Sequence, residues 1–252
     1  MKLAVIGDPV EHSMSPQLHR GFFEETGLHG TYEAIRVPAG ECAAAIERLR
    51  AEGYRGLNVT TPLKEEAFVA CEHVDEIARR AQSVNTIVFE DGGPLLGCNT
   101  DGVGALGALA VALGKHDLPH GVDVLLLGVG PTARAAAYVL SRVGWARVSL
   151  WNRTPQSANA LAEHLKLEVW NGQPVDAVFS ALPPNAELDA AVRGALLAAR
   201  VVIDANYGPR ATLAAELGRP VHDGLDMLRA SARASFDLWA EVERLARRET
   251  TS

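Results

Sequence analysis

Val122-Asp-Val-Leu-Leu-Leu-Gly-Val-Gly-Pro-Thr-Ala-Arg134 is the stretch on which the fold turns. Its apolar run to Leu127 is what a central parallel strand, buried on both faces, requires. Gly128-x-Gly130-x-x-Ala133 follows at once and opens a helix expected to reach Val143. There the first Gly permits a tight turn, and the second lets the backbone approach a pyrophosphate. A small third residue lets helix and strand pack closely, and the helix N-terminus favours the anion. Pro131 suits the helix start but has no N–H to offer a phosphate. The ligand such a turn predicts is a dinucleotide.

The next strand end narrows the ligand. Arg147 to Trp151 reads as a strand, Asn152-Arg153-Thr154 follows it, and Pro155 to Leu165 reads as a helix. A carboxylate at this point would bond a ribose 2′-hydroxyl, but none is present. A guanidinium beside a hydroxyl suits a 2′-phosphate instead, so NADP is favoured over NAD. Thr154 is also placed to cap the helix that Pro155 begins, and both readings can hold together. Val175 to Leu182 and Val201 to Asn206 read as further strands, with a helix near Ala186 to Ala199 between them. His222-Asp-Gly224 opens a long final helix from Leu225 to about Arg248.

Before Val122 the chain reads as a second α/β unit. Lys2 to Gly7, Thr31 to Val37 and Gly56 to Val59 read as strands. The helices between them are Gln17 to Thr26, opened by Pro16 and stopped by Gly27, and Ala39 to Glu52. Strand, helix, strand, helix, strand predicts parallel βαβ units with right-handed crossovers. Glu65 to Ala70 and Asp75 to Ala81 read as helices, Thr86 to Phe89 and Leu95 to Cys98 as a hairpin around Asp91-Gly-Gly, and Val103 to Leu113 as a small-residue helix. Gly114 to Gly121 is the best linker candidate.

Side chains that could do chemistry collect at three strand ends. Asn58, Thr60, Thr61 and Lys64 follow one strand, where open α/β sheets place their ligands. Alone, this is equally a polar loop with Thr61 capping a helix that Pro62 opens. Asn85-Thr86 and Asn99-Thr100-Asp101-Gly102 repeat the pattern at two later strand ends. Lys64 and Asp101 are the candidate chemical pair: hydride transfer to a ketone needs a proton at the forming alkoxide, and a lysine tuned by burial and a carboxylate can deliver it. Ser13 and Ser15 could bond a small polar ligand, although Ser15 is equally a helix cap. His12 and His19 are expected to be surface or supporting residues, and Phe236, Leu238 and Trp239 to form a core-facing stripe.

Composition sets bounds. The 252 residues carry a net charge of −7 with scattered Lys and Arg, which argues against nucleic acid as a partner. Cys42, Cys71 and Cys98 show no metal-ligand spacing, so no metal is expected. No apolar run approaches a membrane span, and the start turns polar too soon for a signal peptide, so a cytoplasmic protein with no membrane partner is expected.

Taken together the motifs resemble the shikimate dehydrogenase family over nearly the whole chain. The residues that carry the resemblance are His12-Ser-Met-Ser-Pro16, Asn58-Val-Thr-Thr-Pro-Leu-Lys64, Val84-Asn-Thr86 and Asn99-Thr-Asp-Gly102. They continue with the Gly128 turn, Asn152-Arg-Thr154, Asp204-Ala-Asn-Tyr-Gly-Pro209 and Ser235-Phe-Asp-Leu-Trp239. The resemblance implies NADP-dependent, reversible reduction of 3-dehydroshikimate to shikimate. It implies an N-terminal α/β substrate domain (residues 1–101, with 225–252 returning to it) and a C-terminal Rossmann-type NADP-binding domain (102–224), as monomer or homodimer. Ser13 and Ser15 would hold the substrate carboxylate. Thr60, Asn85, Lys64 and Asp101 would meet the ring hydroxyls and reacting oxygen, Tyr207 would lie near the substrate, and Gly224 near the nicotinamide. Four positions depart from the family pattern: Ser231 where Gln is usual as a substrate ligand, Pro131 for Gly, Ser157 for a basic residue, and Ser180-Ala-Leu-Pro183 for Asn-Ala-Thr-Pro. Three of the four fall on the cofactor side and predict looser NADP binding. The alternatives are a paralogue acting on quinate or with NAD, and a non-catalytic ligand sensor.

Overall fold

The computed structural model describes residues 1–90, 92–114, 121–144 and 147–249. The interior of the expected linker, and Asp91 of the expected hairpin turn, lie outside the described residues. The chain divides into two compact units: residues 1–100 with the final helix from Ser231 onward, and Asp101–Ala230. Among the described residues no helix is long and apolar enough to cross a membrane.

Unit 1 is built on a six-stranded mixed sheet. Its strands are β1 (Lys2–Gly7), β2 (Thr31–Arg36), β3 (Gly56–Val59), β4 (His73–Val74), β5 (Thr86–Phe89) and β6 (Leu95–Cys98), in the order β2-β1-β3-β5-β6-β4. β1 runs parallel to both β2 and β3, as the alternating pattern requires, and β5 turns antiparallel to both β3 and β6. Helices α1 (Ser15–Thr26), α2 (Cys42–Ala51), α3 (Lys64–Ala70) and α4 (Glu76–Ala81) complete it with the later part of α10 (Leu225–Glu249). One apolar core lies under α2 and α3 around Ile6, Ile46, Leu49, Leu57 and Ile87; a second joins Phe22 and Phe23 of α1 to Phe236 and Trp239 of α10. Trp239 lies so close to Gly56 that a Cβ there would overlap its indole ring. Its Nε1–H donates to Ile87 O at 2.9 Å. Leu238 is not part of this face: a residue two positions from Phe236 points the other way around a helix, and it is exposed.

Unit 2 carries a five-stranded sheet, all parallel: β7 (Asp123–Leu127), β8 (Arg147–Trp151), β9 (Glu168–Val169), β10 (Ala177–Ser180) and β11 (Val201–Asp204), in the order β11-β10-β7-β8-β9. The order reverses at β7, so ligands are expected beyond its carboxyl end. Around the sheet lie α5 (Asp101–Ala112), α6 (Pro131–Arg142), α7 (Pro155–Leu165), α8 (Ala190–Ala198) and α9 (Leu213–Leu217). The alternation of strand and helix thus gives the Rossmann-type α/β architecture that the resemblance implies.

Local corrections concern helix starts and short elements. Ser15 does not cap α1. Met14 holds the cap position, Ser15 is already helical, and the Oγ of Ser13 accepts the Ser15 N–H at 3.3 Å. Pro62 does not open a helix either. The Leu63 N–H first closes a turn on Thr60 O at 2.9 Å, the Thr61–Pro62 peptide is cis, and α3 starts at Lys64. Asp75 and Asp189 act as caps, accepting from Ala78 N at 2.6 Å and Val192 N at 2.8 Å, which moves α4 and α8 later than their periodicity suggests. Two-residue β4 and β9, short α9 and the 3-10 turn Gly208–Arg210 have too few residues to show a period. The three thiols are free, and burial pushes each up to about 12.

His19 is not a surface residue. It is fully buried, stacked on Tyr32 with centroids 4.0 Å apart, and neither ring nitrogen has a well-formed hydrogen bond among the described residues. Burial lowers its pKa from 6.5 to about 3, with nearby Asn58 pulling weakly the other way. Between those values the unfolded chain binds a proton that the folded chain refuses. This contribution is intact above pH 6.5 and is lost as pH falls toward 3, at roughly 1.4 kcal/mol per unit. Urea unfolding at about pH 7 and about pH 4.5, on either side of the ordinary histidine range, should show a smaller acid loss in His19→Phe than in wild type. Equal losses would mean that other groups carry the acid sensitivity.

Candidate functional site

In unit 1 the strand ends are tied together by short polar side chains, with Asn85 at the centre. Its Oδ1 accepts from Thr100 N at 2.9 Å, Thr100 Oγ1 at 3.2 Å and Thr86 Oγ1 at 2.9 Å. Its Nδ2 donates to Thr100 Oγ1 at 3.1 Å and Ser231 Oγ at 3.3 Å. One helical turn on, Ser235 Oγ lies 2.7 Å from Thr86 Oγ1 and 3.1 Å from Thr100 Oγ1, and accepts from Asn58 Nδ2 at 3.0 Å. Tyr32 OH closes the chain by donating to Asn58 Oδ1 at 2.7 Å. Ser231 Oγ is 2.8 Å from Thr100 Oγ1. The four-residue spacing of Ser231 and Ser235 puts both hydroxyls on one face of α10, against the strand ends.

The remaining unit 1 candidates lie around this knot. Lys64 is the first residue of α3; its carbonyl accepts Val84 N at 2.9 Å, which fixes the segment before Asn85. Thr60 is half-buried and donates its N–H to Ile6 O at 2.9 Å, while Thr61 is exposed. Ser13 is half-buried and Ser15 buried at the start of α1. Asn99 looks away from the group: its Nδ2 donates to Ser83 O and Oγ, both at 2.9 Å. A hollow of about 570 Å³ between α1 and β2, lined by Arg20, Phe23, Leu28 and Tyr32, includes none of these candidate residues.

Unit 2 presents the turn and strand ends. Gly128 has φ 106°, a backbone favoured only by glycine, and a Cβ there would sit 3.3 Å from Ala181 O. Its N–H donates to Trp151 O at 2.8 Å, which holds the turn beside the end of β8. Gly130 caps α6, Pro131 begins it, and Ala133 is fully buried against the sheet. Beyond β8, Arg153 and Thr154 are exposed, and no described carboxylate pairs with the guanidinium. Thr154 holds the cap position of α7 but makes no side-chain cap bond; its carbonyl accepts Asn152 Nδ2 at 3.2 Å instead.

Asp101 opens α5, is buried, and accepts from Thr132 Oγ1 at 3.2 Å. After β11, Asp204 accepts from Asn206 N at 3.0 Å and Nδ2 at 2.8 Å, and Asn206 Nδ2 also donates to Leu182 O at 2.9 Å. Burial holds the Asp204 carboxyl above its ordinary range, with the Asn206 bonds opposing. This clamp fixes the loop carrying Tyr207. Gly224 N–H donates to Asn206 O at 2.9 Å, and a Cβ at Gly224 would overlap Ala205 O. The structure thus gathers Asn85 and Ser231 in one network, and the Gly128 turn with Asn152–Thr154 at neighbouring strand ends. Thr86, Thr100, Ser235 and Thr132 belong to these groups but were not singled out individually in the sequence; the i, i+4 serine pair was the signal available.

A family model described as the shikimate dehydrogenase substrate binding domain matches residues 5–87. Over 267 aligned positions the chain is 38% identical to a shikimate dehydrogenase (NADP(+)) of Methanothrix thermoacetophila, covering 95% of this chain and 91% of that one. A crystal structure of an Ael1 enzyme from Pseudomonas putida matches with TM-score 0.83 and 30% identity, over 97% of both chains. Shikimate 5-dehydrogenase from Thermus thermophilus, solved with NADP(H) and shikimate, matches with TM-score 0.81 and 32% identity, over 98% of this chain and 99% of that one.

Removing one member of a buried network strands its partners, so Ser235→Ala should cost about 1–3 kcal/mol of unfolding free energy. Ser231→Ala should cost less, since Ser231 has fewer partners and more exposure. Urea denaturation with equal m-values checks the order; the reverse ranking would mean that Ser235 holds fewer of the network's bonds than Ser231.

Proposed function

The chain belongs to the shikimate dehydrogenase family, and on that premise we propose that it catalyses the reversible, NADP-dependent reduction of 3-dehydroshikimate to shikimate. The observation that carries the reading is the end of β8 beside the Gly128 turn. An exposed Arg153 without a described carboxylate partner stands there, and a guanidinium suits a 2′-phosphate where an acidic residue would select its absence. Bound NADPH would supply the hydride. Gly128 and Gly130 would let the backbone approach its pyrophosphate at the start of α6, with Ala133 keeping helix and strand close. Asn152 and Thr154 shape the loop that presents Arg153, and Gly224 would lie toward the nicotinamide.

In unit 1 a hydroxylated, carboxylated ring suits the polar strand ends. Ser13 and Ser15 would bond the carboxylate. Thr60 and Asn85 would meet ring hydroxyls, with Tyr207 near the substrate. The Asn85 carboxamide already makes several bonds, so it acts as a pre-set surface rather than a searching side chain. Ser231 would form part of the substrate side, its hydroxyl engaged by Thr100 and Asn85. Lys64 would give its proton to the oxygen as the carbonyl becomes an alkoxide, and take it back in the oxidation of shikimate. Asp101 would hold that exchange in place by its charge.

The purified protein should reduce NADP+ with shikimate faster than with quinate, and faster than NAD+ is reduced with either. Activity confined to quinate or NAD+ would mark a specialised paralogue, and none in any pairing would leave a binder. Lys64→Ala should lower kcat by about 10²–10⁴-fold while ligand binding persists. Arg153→Ala should raise the KM for NADP+ about tenfold or more and leave that for NAD+ nearly unchanged. Equal effects on both cofactors would remove Arg153 from 2′-phosphate recognition.

A further inference from the structure

The start of α6 makes a bond that a dinucleotide turn does not by itself require. Thr132, one residue after Pro131, donates its Oγ1–H to Asp101 Oδ2 at 3.2 Å. The two helix starts are held together by small residues. At Gly102 a Cβ would lie 2.6 Å from Ala135 O and overlap the Val139 side chain. Ala105, Ala135 and Ala136 are fully buried nearby. With backbone so close to backbone, α5 has little freedom to slide on α6. The Thr132 hydroxyl is the donor in this pair, and the carboxylate oxygen accepts.

We infer that Thr132 is a positioning residue for Asp101: it fixes the orientation of the carboxylate and ties it to the first turn of the helix that receives the pyrophosphate. The inference rests on the proposed role of Asp101 in proton transfer. It also assigns Thr132 a task other than contact with the cofactor, although it lies inside the phosphate turn. Valine at this position keeps the shape and removes the donor, and serine keeps the donor and removes the methyl group.

Steady-state kinetics with shikimate and NADP+ on the full chain test this, with Asp101→Asn as the control. Thr132→Val should lower kcat about tenfold, the scale of one lost orienting hydrogen bond, with the KM for NADP+ within about twofold of wild type. Thr132→Ala should match the valine variant, and Thr132→Ser should restore kcat. A valine variant with wild-type kcat overturns the inference, as does a serine variant as slow as valine. A rise in KM for NADP+ at unchanged kcat also overturns it, by making Thr132 a cofactor contact. If Asp101→Asn itself keeps full turnover, the proposed role of Asp101 fails first, and the inference falls with it.

Discussion

The side chain of Asn85 is the constraint on which unit 1 depends. It sits at the ends of β5 and β6 and against the final helix: its Oδ1 accepts from Thr86 and Thr100, and its Nδ2 donates to Thr100 and Ser231. An amide is suited to that place because it donates and accepts in one plane, whereas a hydroxyl has a single proton to give. Deep in a sheet a partly satisfied polar group is costly, so the surrounding residues are under pressure to supply partners. Thr86, Thr100 and Ser231 do so, and Ser235 in turn bonds Thr86 and Thr100. The indole of Trp239, bonded to Ile87 O and pressed on Gly56, fixes the same helix two turns beyond Ser231. Helix and strand ends are thereby held by direction as well as by apolar contact.

Unit 2 achieves its order by a different means. Apart from Ser149 within β8, its strand interiors are apolar on both faces and its helices are lined with alanine, so the sheet–helix spacing is set by side-chain size. Polar groups there are concentrated beyond the strand ends. The Asp204–Asn206–Leu182 clamp and the Gly128–Trp151 bond fix loops, and Arg153 stays in solvent.

The architecture was legible in the sequence because it rests on patterns that local residues express. Val124 to Leu127, the glycines after it and Pro131 announce a buried strand, a tight turn and a helix start without any tertiary information. The same holds for β1, β3 and the hairpin strands. Helix starts were less legible, because a cap depends on which oxygen reaches the free N–H. Ser13 and Ser15 are chemically alike, and only the geometry shows that Ser13 accepts while Ser15 is already helical. The burial of His19 is hidden from the sequence for a related reason. Its burial follows from Tyr32, Phe22, Phe236 and Trp239, which come together from β2, α1 and α10.

Ser231 has a short reach, and its partners lie within it. A side chain that ends one carbon from the backbone of α10 stays at the strand ends, within bonding distance of Thr100 and Asn85. Its hydroxyl is better placed to hold those groups than to extend past them toward a ligand. The consequence falls on Asn85, whose amide group is turned by Ser231 and Thr100 together. A longer residue here would have to leave the network to reach further, and would give up the Thr100 bond in doing so.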